Sequence, residues 1–326
     1  MPIISYNLQK PRAFYNVMHE RGGGGSCYIN AALQALLSPS LFKRILTQKW
    51  CEIDNSLREQ LIATCQRRRG FGNFGEQVSE LNRHEERLAA MLCVAHTAPR
   101  IEPARPYLFT DPFYVGQQDD AAAFIANLLH PEQVPSLSDI LHGHMNQSLI
   151  CTNADCKLAR PSEGEAFASM QLPLLTMDGT SLRSVQEAVD AYMPDETVTL
   201  EEYCLRCGST TFTKTHKIIA FPRVLLVYLN RWAGHHVEDA ILHSIDANRT
   251  LNVQGHNYQL CAAVCHLGPS PHAGHYITVA RHATNHGLWW LYDDDQRVLA
   301  RDEQVSTLCD YGLLGPMQCY VLFYER

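Results

Sequence analysis

Cys27 heads a run, Cys27-Tyr28-Ile29-Asn30-Ala31-Ala32-Leu33-Gln34-Ala35-Leu36, in which Ile29, Leu33, Leu36 and Leu37 recur at helical spacing. A thiol at a helix start meets free backbone N–H groups and the positive end of the macrodipole, and both favour the thiolate. Much later, Gly274-His275-Tyr276 opens an alternating strand pattern, and Trp290-Leu291-Tyr292-Asp293-Asp294 closes the next one. Paired as a hairpin, these strands would carry an imidazole to a carboxylate, with Gly274 permitting close approach beside the histidine. A thiol, an imidazole and an orienting carboxylate are the parts a cysteine nucleophile needs. Cys27, His275 and an acid from Asp293 to Asp295 form the candidate set. A core cysteine and a solvated acidic turn are the competing readings of the same residues.

Two cysteine pairs offer different chemistry. Cys204-Leu205-Arg206-Cys207 has the two-residue spacing of a zinc knuckle, and Cys151-Thr152-Asn153-Ala154-Asp155-Cys156 is a looser pair. Two such turns can present four thiolates to one tetrahedral zinc, which would be structural because no coordination position stays open. A redox reading of the closer pair would want a thioredoxin-like context that is missing here. The remaining cysteines, Cys51, Cys65, Cys93, Cys261, Cys265, Cys309 and Cys319, lie in apolar or amphipathic surroundings and read as core residues.

The elements that must position these groups fall into two halves. Residues 27–47, 52–68, 76–96 and 121–129 carry helical patterns, and a break is expected at Ser38-Pro39. From Val224 onward the apolar runs are short, β-branched or aromatic and bounded by turn residues, as strands are. The cysteine pairs lie between, in about 145–220. The chain has 326 residues, 46% of them hydrophobic, with a net charge of -7, which argues against nucleic acid as a partner. No signal-like or membrane-length apolar run is present, so an intracellular protein, cytoplasmic or nuclear and with reduced thiols, is expected.

Cys27-Tyr28-Ile29-Asn30 with Leu33-Gln34 and Leu36 resembles the cysteine box of the ubiquitin-specific proteases, the papain-like deubiquitinases. Tyr258 to Val264, His266-Leu267-Gly268, Gly274-His275-Tyr276 and Trp290 to Asp294 resemble their histidine box. Gln117-Gln118-Asp119-Asp120-Ala121 with Phe124 resembles the glutamine-rich box between them. Phe221 to Trp232 and Tyr320 to Tyr324 are similar to later segments in the family's order. The resemblance implies an α+β, papain-like fold in one catalytic domain over 1–326, with a helical thumb (about 12–143), zinc-bearing fingers (about 144–220) and an antiparallel palm (about 221–326). It implies hydrolysis of the peptide or isopeptide bond after the C-terminal glycine of ubiquitin, by a monomer. Cys27 would be the nucleophile, His275 the acid and base, and Asp293 the orienter, with Asp294 as the alternative third member. Gln118, Asp120, Gly274 and Tyr276 would bind substrate, with Asp120 taking an arginine of the ubiquitin tail. Cys151, Cys156, Cys204 and Cys207 would hold the zinc.

The chain also departs from that pattern. Where the family reads Asn-x-Gly-Asn-Thr-Cys, this chain reads Gly22-Gly23-Gly24-Gly25-Ser26-Cys27. The oxyanion loop, represented by Gly22, Gly24 and Ser26, therefore lacks the asparagine donor, whose loss typically costs ~3–4 kcal/mol. Glycine N–H groups forming a nest would offset part of this, and a weakened activity is expected. Ala123 also stands where the family's helix carries a glutamate. The alternatives are a ubiquitin-binding pseudoenzyme and a papain-like protease for another ubiquitin-like modifier.

Overall fold

The computed structural model describes residues 25, 27–66, 84–95, 118–132, 134–161, 164–232, 241–282, 285, 287–294, 296–305 and 317–326. The helical half contains α1 (Cys27–Leu36), α2 (Ser40–Glu52), α3 (Asn55–Gln66), α4 (His84–Ala95), α5 (Ala121–Leu128) and α6 (Pro135–Leu141). The predicted helix over 27–47 is thus two helices broken around Pro39, which takes extended φ and ψ. All ten residues of α1 are buried, including the polar Asn30 and Gln34. Among the described cysteines outside the two pairs, Cys51 is exposed rather than core, because it falls on the outer face of α2.

The strands follow in chain order. β1 (Gly143–Cys151), β2 (Ala159–Pro161) and β3 (Glu165–Phe167) precede β4 (Ser169–Leu172), and β5 (Glu196–Thr199) and β6 (Thr211–Ala220) come after it. Then come β7 (Val224–Leu229), β8 (Thr250–Val253), β9 (His256–Ser270), β10 (Ala273–Arg281), β11 (Leu288–Asp293), β12 (Gln296–Arg301) and β13 (Gln318–Glu325). The fingers sheet has the order β2-β1-β6-β5, with β3 also on β1. The palm sheet runs β12-β11-β10-β9-β13-β7-β4, with β8 pairing β9. It is antiparallel except where β4 lies parallel to β7. A short helix, α7 (Val185–Tyr192), is capped by Ser184.

The palm has a core on each face, which explains why β7 is buried at every position. Val224, Leu226 and Tyr228 join the helical half, while Leu225, Val227 and Leu229 join the opposite core with Val185, Ala188 and Val189 of α7. Alternation in β13 does the same, sending Val321 and Phe323 one way and Leu322 and Tyr324 the other. Thumb and palm are tied by polar contacts as well. Thr278 Oγ1 of β10 donates to the Ala31 carbonyl of α1 at 2.7 Å. At the far end, the Glu325 carboxylate accepts from Ser40 N, Ser40 Oγ and Leu41 N, satisfying the start of α2.

Candidate functional site

α1, β10 and β11 converge on one spot. His275 lies near the start of β10 and Asp293 ends β11, and the antiparallel pairing of Thr278 with Tyr292 sets them side by side. His275 Nε2 and Asp293 Oδ1 are 2.6 Å apart. Burial alone would push the imidazolium down. The Asp293 hydrogen bond, a hydrogen bond with the Cys27 side chain and the nearby Asp294 charge outweigh it, raising His275 to about 10. Asp294 does a different job. It sits at positive φ in the turn after β11, and its Oδ1 accepts from Asn30 Nδ2 of α1 at 2.8 Å. The turn that ends in the orienting acid is thereby fastened to the helix that begins with the thiol. Sequence reasoning assigns Asn30 no role of its own, because an asparagine inside a helical run carries no signal of a partner so distant in sequence.

The β9–β10 hairpin beside His275 is tightly built. A Cβ on Gly274 would lie 2.1 Å from the Leu267 carbonyl oxygen and 2.7 Å from His266 Nε2. His266 is fully buried, and burial holds it down to about 4, so it stays neutral beside His275. Trp232 Nε1 donates to the Pro269 carbonyl at 3.3 Å and Tyr276 Oη to the Pro271 carbonyl at 2.9 Å, pinning the hairpin tip. Tyr276 is itself buried.

Facing this hairpin is the start of α5. Asp120 is its N-cap, accepting from Ala122 N at 2.8 Å and from Tyr320 Oη at 3.1 Å. Burial raises its pKa against those bonds. Asp120 lines a cavity of about 330 Å³ with Ala123, Tyr228, Trp232, Pro271 and Tyr320. Asp119 spans the gap to the hairpin through His272 Nδ1 at 2.9 Å. Gln118 has a buried amide nitrogen that finds no acceptor among the described residues. Of the oxyanion loop, Gly22, Gly24 and Ser26 lie outside the described residues, and Gly25 is buried.

The two cysteine pairs meet at the tip of the fingers. The sulfur atoms of Cys151, Cys156, Cys204 and Cys207 all lie within 4.8 Å of one another, with Cys151–Cys207 at 3.5 Å and Cys156–Cys204 at 3.6 Å. Tetrahedral zinc with Zn–S bonds of ~2.3 Å requires sulfurs ~3.8 Å apart, so the four thiols are compatible with zinc binding. The Arg206 N–H, outweighing burial and helped by the Cys207 N–H, holds Cys204 down to about 6, while burial pushes Cys151 up.

Comparison with known proteins agrees with this arrangement. The family model "Ubiquitin carboxyl-terminal hydrolase" matches residues 22–324. Among curated relatives, the mouse ubiquitin carboxyl-terminal hydrolase 17-like protein B is 24% identical over 332 residues, covering 93% of this chain. The chain spans 62% of that relative's length. The Arabidopsis thaliana ubiquitin carboxyl-terminal hydrolase 4 is 21% identical over 356 residues, with 93% of this chain and 91% of the relative covered. Among solved structures, the SAGA Ubp8/Sgf11/Sus1/Sgf73 DUB module bound to ubiquitin aldehyde matches with a TM-score of 0.64 at 16% identity, covering 98% of this chain and 70% of that one. Fold and sequence converge, and the family model extends over nearly the full length: this chain belongs to the ubiquitin carboxyl-terminal hydrolase family.

Proposed function

We propose that this protein is a thiol-dependent deubiquitinase that cleaves the bond after the C-terminal glycine of ubiquitin. The observation that carries the reading is the His275 imidazole, held by Asp293 at 2.6 Å and raised further by the neighbouring Cys27 side chain. Nε2 is committed to Asp293, so Nδ1 exchanges the proton with Cys27 Sγ. The thiolate attacks the scissile carbonyl carbon, and the tetrahedral oxyanion collapses as His275 protonates the leaving amine, giving a thioester. Acylation removes the Cys27 contribution that raised His275, so more of the imidazole is neutral and free to accept a proton. It then takes a proton from water as the hydroxide adds to the thioester, and Cys27 leaves as the thiolate beside the imidazolium, restoring the starting pair.

Substrate binding follows from the facing walls. Asp120 and its cavity suit a basic side chain of the ubiquitin tail, whose guanidinium would restore the carboxylate that burial disfavours. The close backbones around Gly274, with Tyr276 pinning the hairpin, suit a tail that narrows to glycines. The unmatched Gln118 amide is a donor for a substrate carbonyl. The oxyanion would fall to the N–H groups of the loop containing Gly22, Gly24 and Ser26. Zinc at the four cysteines would be structural, supplying the fingertip with the core that its few apolar residues cannot. A single copy holds every group named, and thumb, fingers and palm divide the work as acid-bearing wall, ubiquitin cradle and base-bearing wall.

A ubiquitin C-terminal electrophile tests the reading. It is expected to label Cys27 covalently, and Cys27→Ala should abolish both labelling and turnover of a fluorogenic ubiquitin substrate. A folded protein that is not labelled would refute it, and preferential labelling by a different ubiquitin-like modifier would reassign the substrate.

A further inference from the structure

A separate cavity lies at the opposite end of β10 from the candidate triad. It occupies about 580 Å³ and is lined by Arg249, Thr250, Gln259, Arg281, Trp289 and Asp302, with Leu260 at its floor. Arg281 is six residues along the strand from His275, ~20 Å at ~3.3 Å per residue. The charges around it do not balance locally. Asp302 is already engaged, accepting from Trp289 Nε1 at 2.9 Å and pairing with Arg249 Nη1. Thr250 and Gln259 hydrogen-bond each other across β8 and β9 at 3.2 Å.

Arg281, half-buried, donates Nη2 to the Cys261 sulfur at 3.4 Å and makes no ion pair among the described residues. That sulfur is no counter-ion. Burial pushes the Cys261 thiol up to about 12 despite the guanidinium, so it is neutral at ordinary pH. Beyond the sulfur stands Glu325, whose oxygens are taken by the backbone and hydroxyl at the start of α2. Lys43 adds a further cation near Glu325. Within the cavity lining, Arg249 is thus neutralised by Asp302, and Arg281 is the cation left without a carboxylate partner among the described residues.

We propose that this cavity binds a small phosphate-type oxyanion, with the planar fork of Arg281 as its main ligand and Arg249 as the second. The Arg281 fork can take two oxygens of one anion, and Arg249, engaged by Asp302 through Nη1, keeps further N–H donors for the same group. The hydroxyl of Thr250 and the amide of Gln259 can turn from each other to a third oxygen. Because the site shares no residue with the triad, its occupancy does not depend on the proposed reaction.

Calorimetric titration of the full chain with inorganic phosphate, and separately with phenyl phosphate, tests the proposal. Saturable binding in the roughly millimolar range is expected. Arg281→Gln should weaken it at least ~tenfold, and Arg281→Lys, which keeps the charge but loses the fork, should fall between. Near-ultraviolet circular dichroism checks that each variant is folded. Should Arg281→Gln fail to fold, Arg249→Gln and Arg281→Lys carry the comparison. Tighter binding of the ester assigns a phosphate monoester as occupant, and equal binding assigns free phosphate. No saturable heat with the wild type, undiminished affinity in the folded variants, or displacement by chloride at matched ionic strength would each overturn it.

Discussion

His275 is held in its charged form chiefly by Asp293, and under the proposed reaction the contribution of Cys27 comes and goes as the thiol is acylated and released. Asp293→Asn should therefore lower kcat by ~10³–10⁴, the cost of losing the orienting charge in such a triad. In the variant, the His275 imidazole should also titrate more than a unit below its wild-type value of about 10, as read from its NMR resonance. The sign of the stability effect follows. Because the folded pKa lies above the ordinary 6.5, this coupling stabilises the fold fully below pH ~6.5 and is lost as pH rises through about 10. The urea stability gap between wild type and His275→Ala should accordingly shrink between pH 6 and pH 10. Asp294 and Asn30 should behave as one unit. Asn30→Ala and Asp294→Asn are expected to lower kcat non-additively, with a coupling of ~0.5–3 kcal/mol in a double-mutant cycle. Cys27, His275 and the acidic pair were legible in the sequence because their types and neighbours are distinctive. The division of labour between the two acids was not, since it depends on which oxygen faces β10 and which faces α1.

At the level of elements, the β9–β10 hairpin and the α1–β10 contact set the precision of the site. Gly274→Ala would place a methyl 2.1 Å from the Leu267 carbonyl, a backbone atom with no flexible end to yield. A loss of stability of at least ~2 kcal/mol is expected from that clash, measured by denaturant unfolding, together with a fall in kcat as His275 shifts. Thr278→Val should cost ~1–3 kcal/mol, because the buried Ala31 carbonyl loses its donor. Most helices of the thumb could be read from apolar periodicity, though not α6, and the central palm strands from β-branched and aromatic runs, though not β8 or β12. The strands of the fingers could not. β1 is largely half-exposed along its length, with burial confined to its two ends, so it shows no two-residue alternation to read.

For the molecule as a whole, the fingers and the palm are stabilised by different means. The small cluster of Cys151, Cys156, Cys204 and Phe212 is the only core at the fingertip among the described residues, whereas the palm is packed on both faces. Elemental analysis of protein purified without chelators is expected to find about one zinc per chain. Stripping it should raise hydrogen exchange in β1, β5 and β6 while leaving β9, β10 and β13 protected. Equal exchange with and without metal would remove the structural role. The palm's strand order carries a consequence for synthesis. β13, the last described strand in chain order, lies between β9 and β7 rather than at an edge, and its Glu325 carboxylate caps α2, far earlier in the chain. Until residues 318–325 leave the ribosome, β7 and β9 present two naked apolar edges to one another across an empty slot. The central position of the sheet is therefore filled last, and β7 and β9 can be joined only once that late segment has emerged.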